Sequence, residues 1–378
     1  MRRVITIQKG FTLVEIMIAM LIGSLLLTGV YQLYFSSKQA NKLITAEAEM
    51  QENARFAFSV MTSIIQEAGN FGCQSSSLMT TNSLVKTTSN TFRPWQVIEG
   101  WEATGTDYGD TYTTDIDSSV SQSTTNHWLS SALSTKDSGI KSKKDSDIIK
   151  VWYTKNERSP LSSISTGVLN FQAINIKQGD ILVINDCQTV TFAQVCSCDL
   201  ADSLVCENDD ERANISADAC STPGNTTFNY SDLNQATTEI SVLEESIFFV
   251  GKRSDSTSGY RSNIPSLYVK HLGDDASPSS KEEILEGVES LQILYGQDTN
   301  NNRSPNYYVS ANQITDWNKV VSVKVSLLLR SQKNNITVGT QAINFNGHQI
   351  DLDDDSSDRY LRRVFTSTIS LRNRNFGY

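Results

Sequence analysis

Residues 1–35 read MRRVITIQKGFTLVEIMIAMLIGSLLLTGVYQLYF, and this stretch decides how the rest of the chain is organised. Met1–Gly10 is a polar leader carrying Arg2, Arg3 and Lys9. The 25 residues from Phe11 to Phe35 that follow hold one charged side chain, Glu15. As a helix rising about 1.5 Å per residue they reach roughly 37 Å, enough to cross a hydrocarbon core about 30 Å thick. The positive leader stays on the cytoplasmic side, which places the remaining chain outside. A secretory signal peptide would show a small-residue cleavage site after its apolar run. Here the run continues into Gln32, Leu33, Tyr34 and Phe35. A plain anchor leaves Glu15 unexplained. A carboxylate in hydrocarbon costs about 2.5–3.5 kcal/mol on insertion scales, so an intramembrane acid marks a functional site by default.

The helical pattern continues beyond the apolar run. Leu43, Ala46, Met50, Ala54, Ala57, Met61, Ile64 and Ala68 recur at spacings of three and four, an apolar stripe on a polar surface. No proline precedes Pro94, and Gly69, Asn70 and Gly72 supply a stop. The spacing predicts one helix from Phe11 to Ala68, apolar all round in its first half and packed by one face in its second. Gly23 and Gly29 lie within it, as is common for membrane helices.

The chain has 378 residues, 20% of them charged, with a formal net charge of −10. That balance opposes sequence-independent binding of nucleic acid, which needs excess cations to displace counterions. A 38% hydrophobic fraction excludes a polytopic membrane protein, and 14 Phe, 13 Tyr and 5 Trp exclude wholesale disorder. Residues 70–147 are rich in Ser, Thr, Asp and Asn and read as a loop-rich part of the head. Trp95, Trp101 and Trp128 within it need a core to pack on. From 148 to 378 the period changes to strands: Ile148–Thr154, Asp180–Asn185, Gln188–Val195, Ile240–Gly251, Ser266–His271, Val288–Tyr295, Val320–Arg330 and Tyr360–Leu371. The expected class is α+β, a long amino-terminal helix packed on a β-rich head.

Cys73, Cys187, Cys196, Cys198, Cys206 and Cys220 form an even set, five of them within 34 residues. In an exported domain such a set implies disulfides that staple the head. Zinc would need Cys-x-x-Cys pairs or nearby histidines, and His127, His271 and His348 are distant in sequence. Cys73 is placed to tie the helix end to the cysteine-rich loop. Asp298, Asn300 and Asn302 begin a calcium-like alternation. The glycine and glutamate that a calcium loop wants are replaced by Arg303 and Val309, so a polar turn is the better reading. Asp351, Asp353, Asp354 and Asp355 read as a solvated loop, and Arg359, Arg362 and Arg363 as surface or strand-edge charges. No catalytic motif of the metalloprotease, serine-hydrolase, dinucleotide or phosphate-loop kind occurs, and no cofactor or metal is implied.

Gly10-Phe11-Thr12-Leu13-Val14-Glu15 resembles the processing site of type IV prepilins. The resemblance implies cleavage after Gly10, methylation of the new amino terminus at Phe11, and an assembly role for Glu15 opposite the Phe11 amine of a neighbouring subunit. Five later groups of residues resemble PilW-type minor pilins. They are Glu52–Ala57, Glu67–Cys73, Gly179–Cys187, Glu286–Gln292 with Tyr295–Asp298, and Arg362–Phe365. Residues 1–10 would be the leader, 11–69 the pilin helix and 11–35 its transmembrane and assembly segment. Such proteins join other minor pilins in a tip complex that primes pilus assembly for twitching motility, adhesion or DNA uptake. The implied partners are a prepilin peptidase, other minor pilins, the major pilin and a tip adhesin. The implied location is the inner membrane with the head in the periplasm, then the pilus at the cell surface. A type II secretion pseudopilin of the J type and a membrane-tethered exported enzyme are the competing readings.

Overall fold

The computed structural model describes residues 12–72, 80–83, 96–103, 142–143, 146–165, 168–171, 176, 180–199, 202–206, 234, 236–252, 264–271, 281–337, 341–345, 347–351 and 359–374. In chain order they form α1 (Leu13–Gln66), β1 (Thr80–Ser83), β2 (Ile98–Trp101), β3 (Ile148–Ser165), β4 (Val168–Phe171) and β5 (Ile181–Asn185). There follow β6 (Thr189–Asp199), β7 (Asp202–Cys206), β8 (Glu239–Lys252), β9 (Pro265–His271), β10 (Glu282–Glu286) and β11 (Val288–Gln297). The last are β12 (Tyr307–Val309), β13 (Val320–Arg330), β14 (Ala342–Phe345), β15 (His348–Asp351) and β16 (Arg362–Ser370).

α1 runs unbroken for 54 residues, close to the length its sequence predicts. It ends where Gly69 (φ 72°) and Gly72 (φ 137°) adopt left-handed backbone that an L side chain resists. The Gly69 N–H donates to the Trp152 carbonyl at 2.8 Å, fastening the helix end to β3. Along the upper half, Ala46, Met50, Ala54, Ala57, Met61 and Ile65 are buried. The expected stripe is shifted by one residue at its end. Ile65, four residues after Met61, continues the buried line, while Ile64 and Leu43 are only partly covered. Three of the six buried positions are alanine, which brings the helix backbone close to the sheet below.

That sheet has the order β12-β11-β13-β16 and is antiparallel throughout. β13 occupies the expected Val320–Arg330, and its alternation explains its two environments. Val323, Val325, Leu327 and Leu329 enter the main core with the helix residues. Leu328 points to the other face, where Phe345 and Val364 cover it.

The second sheet has ten strands, and six of them close into a ring: β3 pairs β8, β8 pairs β5, then β6, β7 and β4 return to β3. Leu161, Phe171, Leu182, Ile184, Val195 and Ile240 form a core of their own among these strands. The alternate residues Ile181, Val183, Val190 and Phe192 join the main core instead, where Phe71 meets Phe192 edge-on at 5.4 Å. β3 is much longer than the expected Ile148–Thr154. A register shift between Thr154 and Arg158 accommodates its polar middle and lets one strand serve both ends of the ring.

Candidate functional site

Thr12 is the helix N-cap and Glu15 the third helical residue, and the two form a reciprocal capping box. The Thr12 N–H and hydroxyl each donate to Glu15 Oε2 at 2.9 Å, and the Glu15 N–H donates to Thr12 Oγ1 at 3.3 Å. Within the chain the carboxylate therefore neutralises donors at its own helix start, where the helix dipole also favours an anion. Oε1 has no hydrogen-bond partner among the described residues, which leaves it turned to whatever surrounds the stem. Gly10 and Phe11 lie outside the described residues.

From Leu13 to Phe35 the large apolar side chains of the stem are exposed, Leu13 at 75% and Leu33 at 73%. An added Cβ at Gly23 or Gly29 would meet nothing within 4 Å among the described residues, the helix's own nearby backbone aside. The helix is long and apolar enough to cross a membrane. A surface of this size without a protein partner is matched by lipid or by other apolar helices.

At the junction between stem and head, the loop 331–337 reaches down beside α1. Gln39 Nε2 donates to the Ile336 carbonyl at 2.6 Å. The Asn334 side chain accepts the Arg359 N–H at 2.8 Å, while the Ile336 and Thr337 N–H groups donate to the Arg359 carbonyl. Farther up, Arg363 of β16 pairs with Glu47 of the helix at 3.2 Å.

Sequence reading missed the cluster that locks the small sheet. Arg362, expected at the surface, is 2% exposed, and Glu289 is 0% exposed. Arg362 Nε and Nη2 donate to the Glu289 carboxylate at 2.6 and 3.0 Å, and Arg330 Nη1 stands 3.7 Å away. The reason lies in the register. Val288 pairs Leu329 and Ser290 pairs Leu328, so Glu289 is the extra residue of a bulge, released from the alternation that would otherwise bury an apolar side chain there. Tyr360 lies under both guanidinium groups. A second buried cation, Lys150, lies between the Trp101 and Trp152 rings and within 3.4 Å of Glu99 and 3.8 Å of Glu245. Of the surface charges expected at the carboxyl end, only Arg359 is exposed as anticipated, with Arg363 half-covered by its pairing to Glu47.

The Asp298 carboxylate accepts the N–H groups of Asn300, Asn302 and Arg303 at 2.6–3.2 Å, and the Asn300 and Asn302 side chains cap the turn's own backbone. Burial raises the Asp298 pKa, but the backbone donors outweigh it and hold the carboxyl below its usual range. The loop is built around N–H donors rather than a convergent shell of oxygens. Among the described residues no group of three or more His, Cys, Asp or Glu is placed to hold a metal.

Cys187 sits in the β5–β6 turn with φ 72°, its N–H held by Asn185 Oδ1 at 2.7 Å. Cys196 and Cys198 lie on β6 and Cys206 on β7. Their side chains, together with Cys73 and Cys220, are outside the described residues, as are Asp353–Asp355, Trp95 and Trp128. Trp101 found its core on β2.

An exposed apolar stem with an acid at its start, continuous with a half locked onto a sheet-rich body, is the form of a membrane-anchored pilin-like subunit. Two family comparisons agree. The family described as Prokaryotic N-terminal methylation motif matches residues 6–31, and Type IV Pilus-assembly protein W matches residues 247–373. Together the two matches support a type IV pilin of the PilW type. Both are structural families of pilus assembly rather than enzyme families. The second match spans Glu289, Arg330 and Arg362. No curated protein and no solved structure matches the chain significantly.

Proposed function

We propose that the protein is a minor pilin. It enters a type IV pilus through α1 and joins other minor pilins in a tip complex that primes assembly. The observation that carries this reading is the division of one helix: apolar and uncovered from Leu13 to Phe35, fastened to the head from Ala46 onward. A stem of that kind moves from lipid into a bundle of like helices without rearranging the head. In this reading a prepilin peptidase cuts between Gly10 and Phe11 and methylates Phe11. The 11–69 helix carries the 70–147 and 148–378 parts of the head into the periplasm, and Glu15 Oε1 faces the Phe11 amine of a neighbouring subunit. A head this large suits the tip, where it need not stack on copies of itself, and a tip adhesin and the major pilin are its further neighbours.

Disulfides staple the head in the same reading. Asn185, which holds the Cys187 turn, also donates to the Phe71 carbonyl at 2.6 Å. An added Cβ on Gly72 would meet its amide at 1.8 Å. Cys73 follows Gly72 directly, so we pair it with Cys187.

The test is a pull-down of the detergent-solubilised full chain with identification of what co-purifies. Minor and major pilins in the eluate support the reading. Pseudopilins and secretion components in their place would transfer the protein to type II secretion, as a J-type pseudopilin.

A further inference from the structure

We propose that the base of the head is a binding surface for anionic phospholipid headgroups of the leaflet it faces. The inference rests on the membrane-anchored reading of the stem.

Twenty residues of helix beyond Phe11 rise about 30 Å, the thickness of a hydrocarbon core. The bilayer boundary therefore falls at Tyr31–Phe35. Tyr31, Tyr34 and Phe35 are exposed there, and the rings of Tyr31 and Phe35 stack at 6.3 Å. An aromatic belt followed by cations is the signature of a headgroup interface.

The structure builds two open grooves at this level, one on each side of the contact between Gln39 and Ile336. The first, about 540 Å³, runs past Tyr34, Lys38, Lys42 and Lys333. The second, about 820 Å³, runs past Tyr31, Phe35, Leu43 and Arg359 and shares Lys42. Each has an aromatic end toward the bilayer and a cationic end toward the head, which is the polarity of a phospholipid. Lys38, Lys42, Lys333 and Arg359 are exposed, and none has an ion-pair partner among the described residues. The acid among the lining residues of the two grooves is Glu49, at the top of the first. In a chain of net charge −10, four cations gathered at the membrane end with one acid run against the overall balance. The cationic loop is also held rigid, because residues 334, 336 and 337 are hydrogen-bonded to Arg359. These bonds fix the backbone from which Arg359 and the neighbouring Lys333 project, which lowers the ordering cost at two of the four cations.

Headgroup binding would seat the head upright on the bilayer and keep the upper half of α1 clear of lipid before the subunit leaves the membrane. The competing occupant is the helix of a neighbouring subunit. An apolar helix offers nothing to the four cations, and anionic lipid does.

The experiment is reconstitution of the full chain into nanodiscs of phosphatidylcholine mixed with phosphatidylglycerol. Native mass spectrometry then counts the lipids retained after release. Wild type should retain phosphatidylglycerol in clear excess over its share of the mixture. Each neutralised cation should lower that preference by about fivefold, since one basic residue at an anionic surface is worth about 1 kcal/mol. Lys38→Gln, Lys42→Gln, Lys333→Gln and Arg359→Gln combined should abolish it. Lys319→Gln with Lys324→Gln, exposed lysines away from the grooves, should leave it intact. Equal preference in wild type and the quadruple variant overturns the proposal. So does a quadruple variant that keeps its lipids but disappears from sheared pili, which would give the grooves to a neighbouring subunit. A chain recovered from cells outside the membrane fraction would instead remove the anchored reading beneath the proposal.

Discussion

The two halves of α1 are one continuous helix in two different solvents. Leu13–Phe35 is apolar around its circumference and leaves its large apolar side chains exposed, whereas Ala46–Ile65 is apolar on one line and buries that line. The sequence distinguishes them by period. An all-round apolar helix has no preferred face, so lipid or a ring of equivalent helices is its partner. A single stripe commits the helix to one surface, here the sheet of β11, β13 and β16. Substitutions in the upper half should therefore be read as folding energy and those in the lower half as insertion and assembly.

The comparison is tested hardest by the two glutamates. Glu289→Ala should be the most damaging change in the head, because it removes the buried carboxylate that Arg362 and Arg330 share. Breaking such a pair from one side costs about 3–5 kcal/mol. The measurement is thermal or urea denaturation of the detergent-solubilised protein, followed by the near-ultraviolet signal of the head. A midpoint within error of wild type would mean that the clamp holds nothing. Glu289→Ala with Arg362→Met should recover part of the loss, since the second change removes a buried guanidinium that has lost its carboxylate partner Glu289.

Next in size is a matched pair within α1. Met61 is fully buried between helix and sheet, and truncating such a side chain costs about 2–5 kcal/mol. Leu25 is 66% exposed in the chain, and Leu25→Ala should leave head stability unchanged while weakening membrane retention or assembly. Equal destabilisation of the head by both would show that the stem and the head fold as one cooperative unit. Cys187→Ser follows, at about 2–4 kcal/mol if the bond closes a loop of the length separating Cys73 from Cys187. Peptide mapping under non-reducing conditions should find those two cysteines linked, and a different pairing corrects our assignment without removing the stabilisation.

The legible parts of the fold share one cause. The helix and the eight expected strands announced themselves because each is long enough for its period to repeat, and β13 does so over most of its length. The short strands escaped notice. β2, β4, β7 and β12 span three to five residues each, too few to establish alternation, and β10 (Glu282–Glu286) is charged, as an exposed sheet edge needs to be. Closure of the six-strand ring is a long-range pairing, β3 with β8, that no local pattern encodes. The Glu289–Arg362 clamp was hidden for a related reason. Its partners stand 73 residues apart, and a bulge places Glu289 where simple alternation puts an apolar residue. Arginine next to arginine in Arg362-Arg363 read as surface, yet neighbours on a strand face opposite ways, so one reaches the buried carboxylate and the other the helix. At the stem the sequence singles out Glu15 as an acid in an apolar run, and the structure places it in the first turn of α1. The basic grooves were not legible in the sequence, because they join helix residues 31–49 to loops some 290 residues later.

The smallest expected effect on the head is that of Glu15→Ala, and it sharpens the comparison because the change is electrostatic yet far from the folded core. Within the chain Glu15 satisfies only its own helix start, through Thr12. Losing an N-terminal capping box costs about 0.5–2 kcal/mol of local helix stability, confined to the first turn. Removing an acid also makes the segment easier to insert, so membrane levels should not fall. Head stability should match wild type, since Thr12 and Glu15 touch nothing beyond the stem. What changes is the assembled state. A neighbour's Phe11 amine, brought into the helix bundle, would lack the carboxylate that offsets its own desolvation. Glu15→Ala should therefore be processed, anchored and folded normally and yet be depleted from sheared pili. Glu15→Asp, one methylene shorter, should recover part of that loss. Measuring both variants in membrane and pilus fractions separates assembly from folding. If Glu15→Ala enters pili as well as wild type, the carboxylate is only a helix cap, and the apolar surface of the stem alone recruits the subunit.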